Sequence, residues 1–243
     1  MDPKKGWDLD IDILKELVTS KTKAIVINFP HNPTGSLISQ KKYQAIIDIA
    51  QENDLYLFSD EVYRFLEYSP LSRLPSACDL YEEAVSLGVM SKSFGLAGLR
   101  IGWIATKDQE LLKNLAAFKD YTTICNSSVS EFLATIAIEN SEKLVNRNLN
   151  IIRSNLTILD GFFREYNQQF DWIRPLAGPI AFPRIKLDHS IDEFCRDLVK
   201  QNGVLLLPGT AFDYGDKHFR IGFGRKNFPE AMNALNRFIN DFL

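Results

Sequence analysis

Residues 84–106 read AVSLGVMSKSFGLAGLRIGWIAT, and two apolar runs in this stretch decide the fold. AVSLGVM (84–90) and IGWIAT (101–106) are each strand-sized. The polar, glycine-bearing link between them is too short for a full crossover helix. Working outward, LYLFSD (55–60) and KAIVINF (23–29) are two more runs of the same kind. Between those two lies a segment with helical period, from about 39 to 53, in which Tyr43, Ile46, Ile47 and Ala50 recur on one face and Ser39 is placed to cap. A helix is also expected over 8–21, from Leu9, Ile13, Leu14 and Leu17. Short buried runs alternating with helices are the mark of an α/β fold with a mostly parallel sheet covered on both faces. Such sheets collect functional residues at the C-terminal ends of their strands. Here those ends carry Asn32, then Asp60 and Glu61, then Ser91 and Lys92.

Beyond residue 106 the pattern predicts helices over 108–120 and 128–169, with a break near Asn140 and Ser141. From Trp172 the texture changes to GPIAFPRIKL (178–187), a helix over 190–202, VLLLPG (204–209), HFRIGFG (218–224) and a closing helix from 229. This reads as a large domain over 1–150 and a smaller α+β domain over 151–243.

Composition narrows the function classes. The 243 residues are 45% apolar and 24% charged with a formal charge of −3, which leaves no basic excess to hold a phosphate backbone. Cys78, Cys125 and Cys195 are far apart and form no CxxC pair, which argues against a zinc site or a disulfide framework and fits a reducing cytoplasm. The start, MDPKKGWDLDID, lacks the apolar region of a signal peptide. The longest apolar runs are too short to span a bilayer.

Four clusters could carry chemistry, and each has a plainer reading. Lys92 is either a surface lysine beside a polar turn or an amine nucleophile for a carbonyl cofactor, with Ser91 and Arg100 binding an anion. Asn32-Pro33-Thr34-Gly35 is by itself a turn. Asp60 and Glu61, followed by Val62 and Tyr63, fit a solvated loop or a helix cap. Arg220, inside an apolar strand, is either an edge-strand arginine reaching water or a carboxylate clamp.

Taken in order and spacing, HNPTG (31–35), SDEVY (59–63), SKSFGLAGLRIGW (91–103) and RIGFG (220–224) resemble the fold-type I pyridoxal-phosphate (PLP) enzymes of aminotransferase class I/II. The third motif is most similar to the branch containing histidinol-phosphate aminotransferase. The resemblance implies an aspartate aminotransferase-like PLP-transferase fold and a cytoplasmic, biosynthetic homodimer that moves an amino group between an amino acid and a 2-oxo acid. It also implies roles. Lys92 would form the Schiff base and move the proton; Asp60 would pair with the pyridine nitrogen; Asn32 and Tyr63 would bond the phenolic oxygen. Ser91 and Arg100 would hold the phosphate, and Arg220 would take the substrate carboxylate.

The resemblance further implies a segment that precedes the first strand and has no counterpart here, on the order of a hundred residues. In the family that segment supplies a helix N-terminus for the phosphate, an aromatic ring over the pyridine and a tyrosine reaching the neighbouring subunit. The expectation is therefore a truncated chain with an incomplete sheet, exposed apolar edges and weak hold on PLP by itself. PLP lyases and decarboxylases of the same fold share every motif quoted, and an inactive remnant that only binds a partner is a third alternative. The motifs leave the amino acid substrate open.

Overall fold

The computed structural model describes residues 1–242, which form two compact units: residues 1–31 with 36–148, and residues 32–35 with 149 onward. The first unit contains, in order, α1 (Ile11–Leu17), β1 (Ala24–Asn28), α2 (Gln40–Glu52), β2 (Tyr56–Asp60), α3 (Ala77–Leu80), β3 (Ala84–Val89), β4 (Gly102–Thr106), α4 (Gln109–Thr122) and α5 (Ser128–Glu139). It also takes the first turns of α6 (Ser141–Glu165).

The sheet order is β1-β2-β3-β4, with the first three strands parallel and β4 antiparallel to β3. The antiparallel return follows from the short link after β3, which cannot cross over the sheet. Ile25, Ile27 and Leu57 bury one face against Tyr43, Ile46, Ile47, Ile49 and Ala50 of α2. Each such aliphatic side chain contributes about 1.5–3 kcal/mol on full burial. Ser39 caps α2 as its sequence predicts, accepting the N–H of Lys42 at 3.3 Å.

Two expectations are corrected here. The KAIVINF run alternates in burial instead of being covered on both faces: Ile25 and Ile27 are buried and Val26 is 71% exposed. The helix expected over 8–21 spans only Ile11–Leu17. Asp10 starts it late by accepting the N–H groups of Asp12 and Ile13. Val18 ends it in an extended conformation, ahead of a Thr19–Thr22 turn.

The second unit continues α6 and adds β5 (Phe170–Asp171), β6 (Ile180–Ala181), β7 (Arg184–Ile185), α7 (Ile191–Asn202), β8 (Leu207–Pro208), β9 (Phe219–Gly222) and α8 (Phe228–Phe242). Its strands form an antiparallel β5–β7 pair and an antiparallel β6-β9-β8 sheet. An aromatic core of Phe162, Phe163, Phe170, Phe194, Phe219 and Phe238 fills it, with Trp172 stacked 4.4 Å from Phe163. VLLLPG yields only a two-residue strand, Leu207–Pro208, paired antiparallel with Arg220 and Phe219. No described helix is long and apolar enough to cross a membrane.

Candidate active site

The first unit gathers five of the predicted residues on two adjacent segments. Asp60 closes β2 half-buried; its Oδ1 accepts the Val62 N–H at 3.1 Å, and Asn28 donates to its backbone carbonyl at 3.2 Å. Tyr63 follows in the same turn and is 5% exposed. Ser91 and Lys92 leave the neighbouring strand β3, and the Lys92 Nζ lies 5.5 Å from the centre of the Tyr63 ring. That is cation–π distance, so an ammonium here is aimed by the aromatic face. Arg100 sits exposed at the far end of the same loop, in a left-handed conformation (φ 55°), with one guanidinium N–H directed at the Ala97 carbonyl. A non-glycine residue held there is a backbone specialisation of the kind that clusters at functional loops.

Beneath Asp60 lies a buried carboxylate. Glu61 accepts from the Ser76 hydroxyl (2.7 Å), the Ala77 N–H (2.9 Å) and the Ser86 hydroxyl (2.9 Å), with Arg64 3.6 Å away. The sequence offers Glu61 as half of a solvated acidic pair; the structure makes it the pin joining β2, β3 and the start of α3. Tyr43, facing this carboxylate, has its phenol pushed well above the usual range, first by burial and then by the Glu61 charge. Ser93 is also buried, and its hydroxyl donates to the Arg64 and Val62 carbonyls.

The second unit holds Asn32 and Arg220 together. An Arg220 N–H donates to Asn32 Oδ1 at 3.0 Å, and its guanidinium lies 5.4 Å from the Phe212 ring centre. β9 is the middle strand of its sheet, so the edge-strand reading of Arg220 is corrected: the half-buried arginine is held by partners. The turn carrying Asn32 is equally fixed. Gly35 has φ +68° and accepts the N–H groups of Leu176 and Ala177 at 2.8 and 3.1 Å. A Cβ on Gly35 would fall 2.5 Å from Pro175 and 2.7 Å from the Ile180 carbonyl, so only glycine fits.

The side-chain amide of Asn148, on α6, donates to the Ser93 carbonyl at 2.9 Å; the sequence signalled neither this contact nor the bridging by Ser93. The serine stood in the quoted motif, but an asparagine on a helix surface carries no local signal. Among the described residues no cluster of histidine, cysteine or acidic side chains could hold a metal ion.

Residues 1–235 match the family of aminotransferases of class I and II. The chain is 31% identical over 235 residues to capreomycidine synthase of Streptomyces vinaceus, covering 96% of this chain and 59% of that protein. It is 27% identical to aromatic-amino-acid aminotransferase 2 of Thermococcus litoralis, covering 96% and 61%. The crystal structure of a PLP-dependent aminotransferase from Streptococcus suis 89-1591 superposes with a TM-score of 0.92 at 31% identity, covering all of this chain and 64% of that one. The chain thus spans about three-fifths of the length of these relatives. A match over nearly its whole length places this chain in the aminotransferase class I and II family.

Proposed function

We propose that the chain is the PLP-binding part of an aminotransferase that moves an amino group between an amino acid and a 2-oxo acid. The observation that carries the reading is the placement of Lys92 over the Tyr63 ring, just past the end of the strand next to the one that ends in Asp60. The donor set fits the cofactor: an amine for its aldehyde, a carboxylate for its pyridine nitrogen, and a hydroxyl and guanidinium for its phosphate. PLP, when bound, supplies the electron sink that lets a bond at the substrate α-carbon break.

The protein's own residues do the rest. Lys92 supplies the nucleophilic amine and then carries a proton on Nζ. Asp60 would pair with the pyridine nitrogen and keep it charged. Tyr63 and Asn32 would donate to the phenolic oxygen, and Ser91 and Arg100 would hold the phosphate. Arg220, already oriented by Asn32 and Phe212, offers a two-pronged donor to the substrate carboxylate. Domains over 1–150 and 151–243, a cytoplasmic homodimer and the histidinol-phosphate aminotransferase-like branch belong to the same proposal, supported by motif resemblance.

A second reading has its own support. Capreomycidine synthase is a synthase by name, and PLP lyases and decarboxylases share these motifs, so another reaction of the same cofactor is the alternative. The test is to add PLP to wild-type protein and Lys92→Ala, then reduce with borohydride. A visible absorption band that borohydride bleaches in wild type and that Lys92→Ala lacks supports the cofactor reading; a band of equal strength in Lys92→Ala sinks it. Incubation with amino acids and a keto acid then decides the reaction, new amino acid meaning transfer and ammonia or carbon dioxide meaning the alternative.

A further inference from the structure

The turn that carries Lys92 is fastened from three sides. Internally, the Gly95 N–H donates to the Lys92 carbonyl (3.1 Å), and the Leu96 N–H to the Met90 carbonyl (3.0 Å). From one flank, the Ser93 hydroxyl donates to the carbonyls of Val62 and Arg64, tying the turn to the segment that holds Tyr63. From the other, the side-chain amide of Asn148, on α6, donates to the Ser93 carbonyl at 2.9 Å. Phe94 is sunk below, 5% exposed, edge-on to Phe65 and Trp103.

Phe94 alone would anchor the turn in the core but would not set its rotation. The hydrogen bonds at Ser93 do that, because one residue is gripped by its hydroxyl on one side and its carbonyl on the other. The space for Asn148 is reserved by Gly95: a Cβ there would sit 3.0 Å from the Asn148 nitrogen, in a backbone conformation of φ +71°. A side chain at Gly95 would therefore press on the Asn148 amide from a strained backbone.

We infer that Asn148, with Ser93 and the room left by Gly95, is a positioning residue that sets the aim of the Lys92 amine. Amine nucleophiles demand such aim, since a misplacement of about 1 Å can cost on the order of 100-fold. The proposal rests on the reading of Lys92 as the cofactor lysine, but its geometry can be tested without the cofactor.

Wild type, Asn148→Ala, Asn148→Gln and the exposed control Asn150→Ala are trace-acetylated, and modification at Lys92 is divided by that at Lys143, an exposed lysine of the same helix. The same proteins are then incubated with PLP, reduced with borohydride and digested, and the label on Lys92 is counted. Asn148→Ala is expected to change the acetylation ratio and to slow labelling at Lys92 about 10- to 100-fold, with its melting temperature near that of wild type. Asn148→Gln should recover much of the loss by keeping the amide donor, and Asn150→Ala should match wild type. Asn148→Asp, isosteric but without the donor, takes the place of the alanine variant if that one does not fold. An unchanged acetylation ratio in the donor-less variants overturns the proposal, as does an equal change in Asn150→Ala. If PLP labels other lysines but not Lys92 while the ratio still responds to Asn148, the cofactor reading fails and the positioning role stands.

Discussion

Single residues set the sharpest constraints, and Gly35 is one. Its Cβ would collide with Pro175 and with a backbone carbonyl, neither of which is a flexible side-chain tip. Gly35→Ala should therefore cost more than the roughly 1–2 kcal/mol that a left-handed backbone alone imposes on an L-residue, read as a drop in the urea midpoint. The same variant frees the turn that carries Asn32, so Arg220 loses its fixed partner. His218 makes a second residue-scale prediction. It is buried against Phe182, with ring centres 5.1 Å apart, and burial, followed by the Arg184 charge, lowers its pKa to about 4. Between pH 6.5 and 4 the unfolded chain binds this proton and the folded chain does not. Stability therefore falls as pH drops through that window, by about 3 kcal/mol at most. His31, also lowered to about 4, first by burial, adds a slope of the same sign. Urea unfolding of His218→Phe at pH 4.5 and 7 should show a smaller pH difference than wild type; an equal difference would remove His218 from the account.

At the scale of elements, legibility tracks how local the deciding interaction is. Ser39 and α2 could be read directly, because a cap and an apolar stripe lie within one stretch of chain. The break between α5 and α6 was legible for the same reason: the Asn140 side-chain amide turns back to the Ile136 carbonyl at 2.9 Å and ends the helix there. Asp60 and Lys92 stood out because parallel strands deliver their C-terminal ends to one edge of the sheet, whatever surrounds them. The grip of Asn148 on Ser93 spans 55 positions and leaves no local periodicity to read. Glu61 was hidden in another way. Its sequence neighbours suggest a solvated pair, and only the approach of Ser76, Ala77 and Ser86 turns it into a satisfied buried carboxylate. The one-sided burial of β1 escaped because a β-branched run looks alike whether one face is covered or two.

For the molecule as a whole, the exposed apolar side chains of the first unit have a measurable consequence. Phe118 and Tyr121 on α4, Ile124 after it, and Val129 and Phe132 on α5 are between 67% and 91% exposed. α4 buries none of its residues. Scattered apolar side chains are normal on a protein surface, but this set occupies two consecutive helices and the link between them. Val26 on β1 and Trp103 and Ile104 on β4 add exposed apolar positions on the two outer strands of the sheet. Edge strands of that kind pair readily with other chains. The purified chain should therefore bind a hydrophobic dye while folded and sediment as larger species as its concentration rises. Tyr121→Lys with Phe132→Glu should suppress both without lowering the melting temperature, because neither side chain is buried in the chain itself. A chain that stays monomeric across the concentration range, with no dye signal, would mean that these side chains cover one another in solution, and the apolar face would not exist.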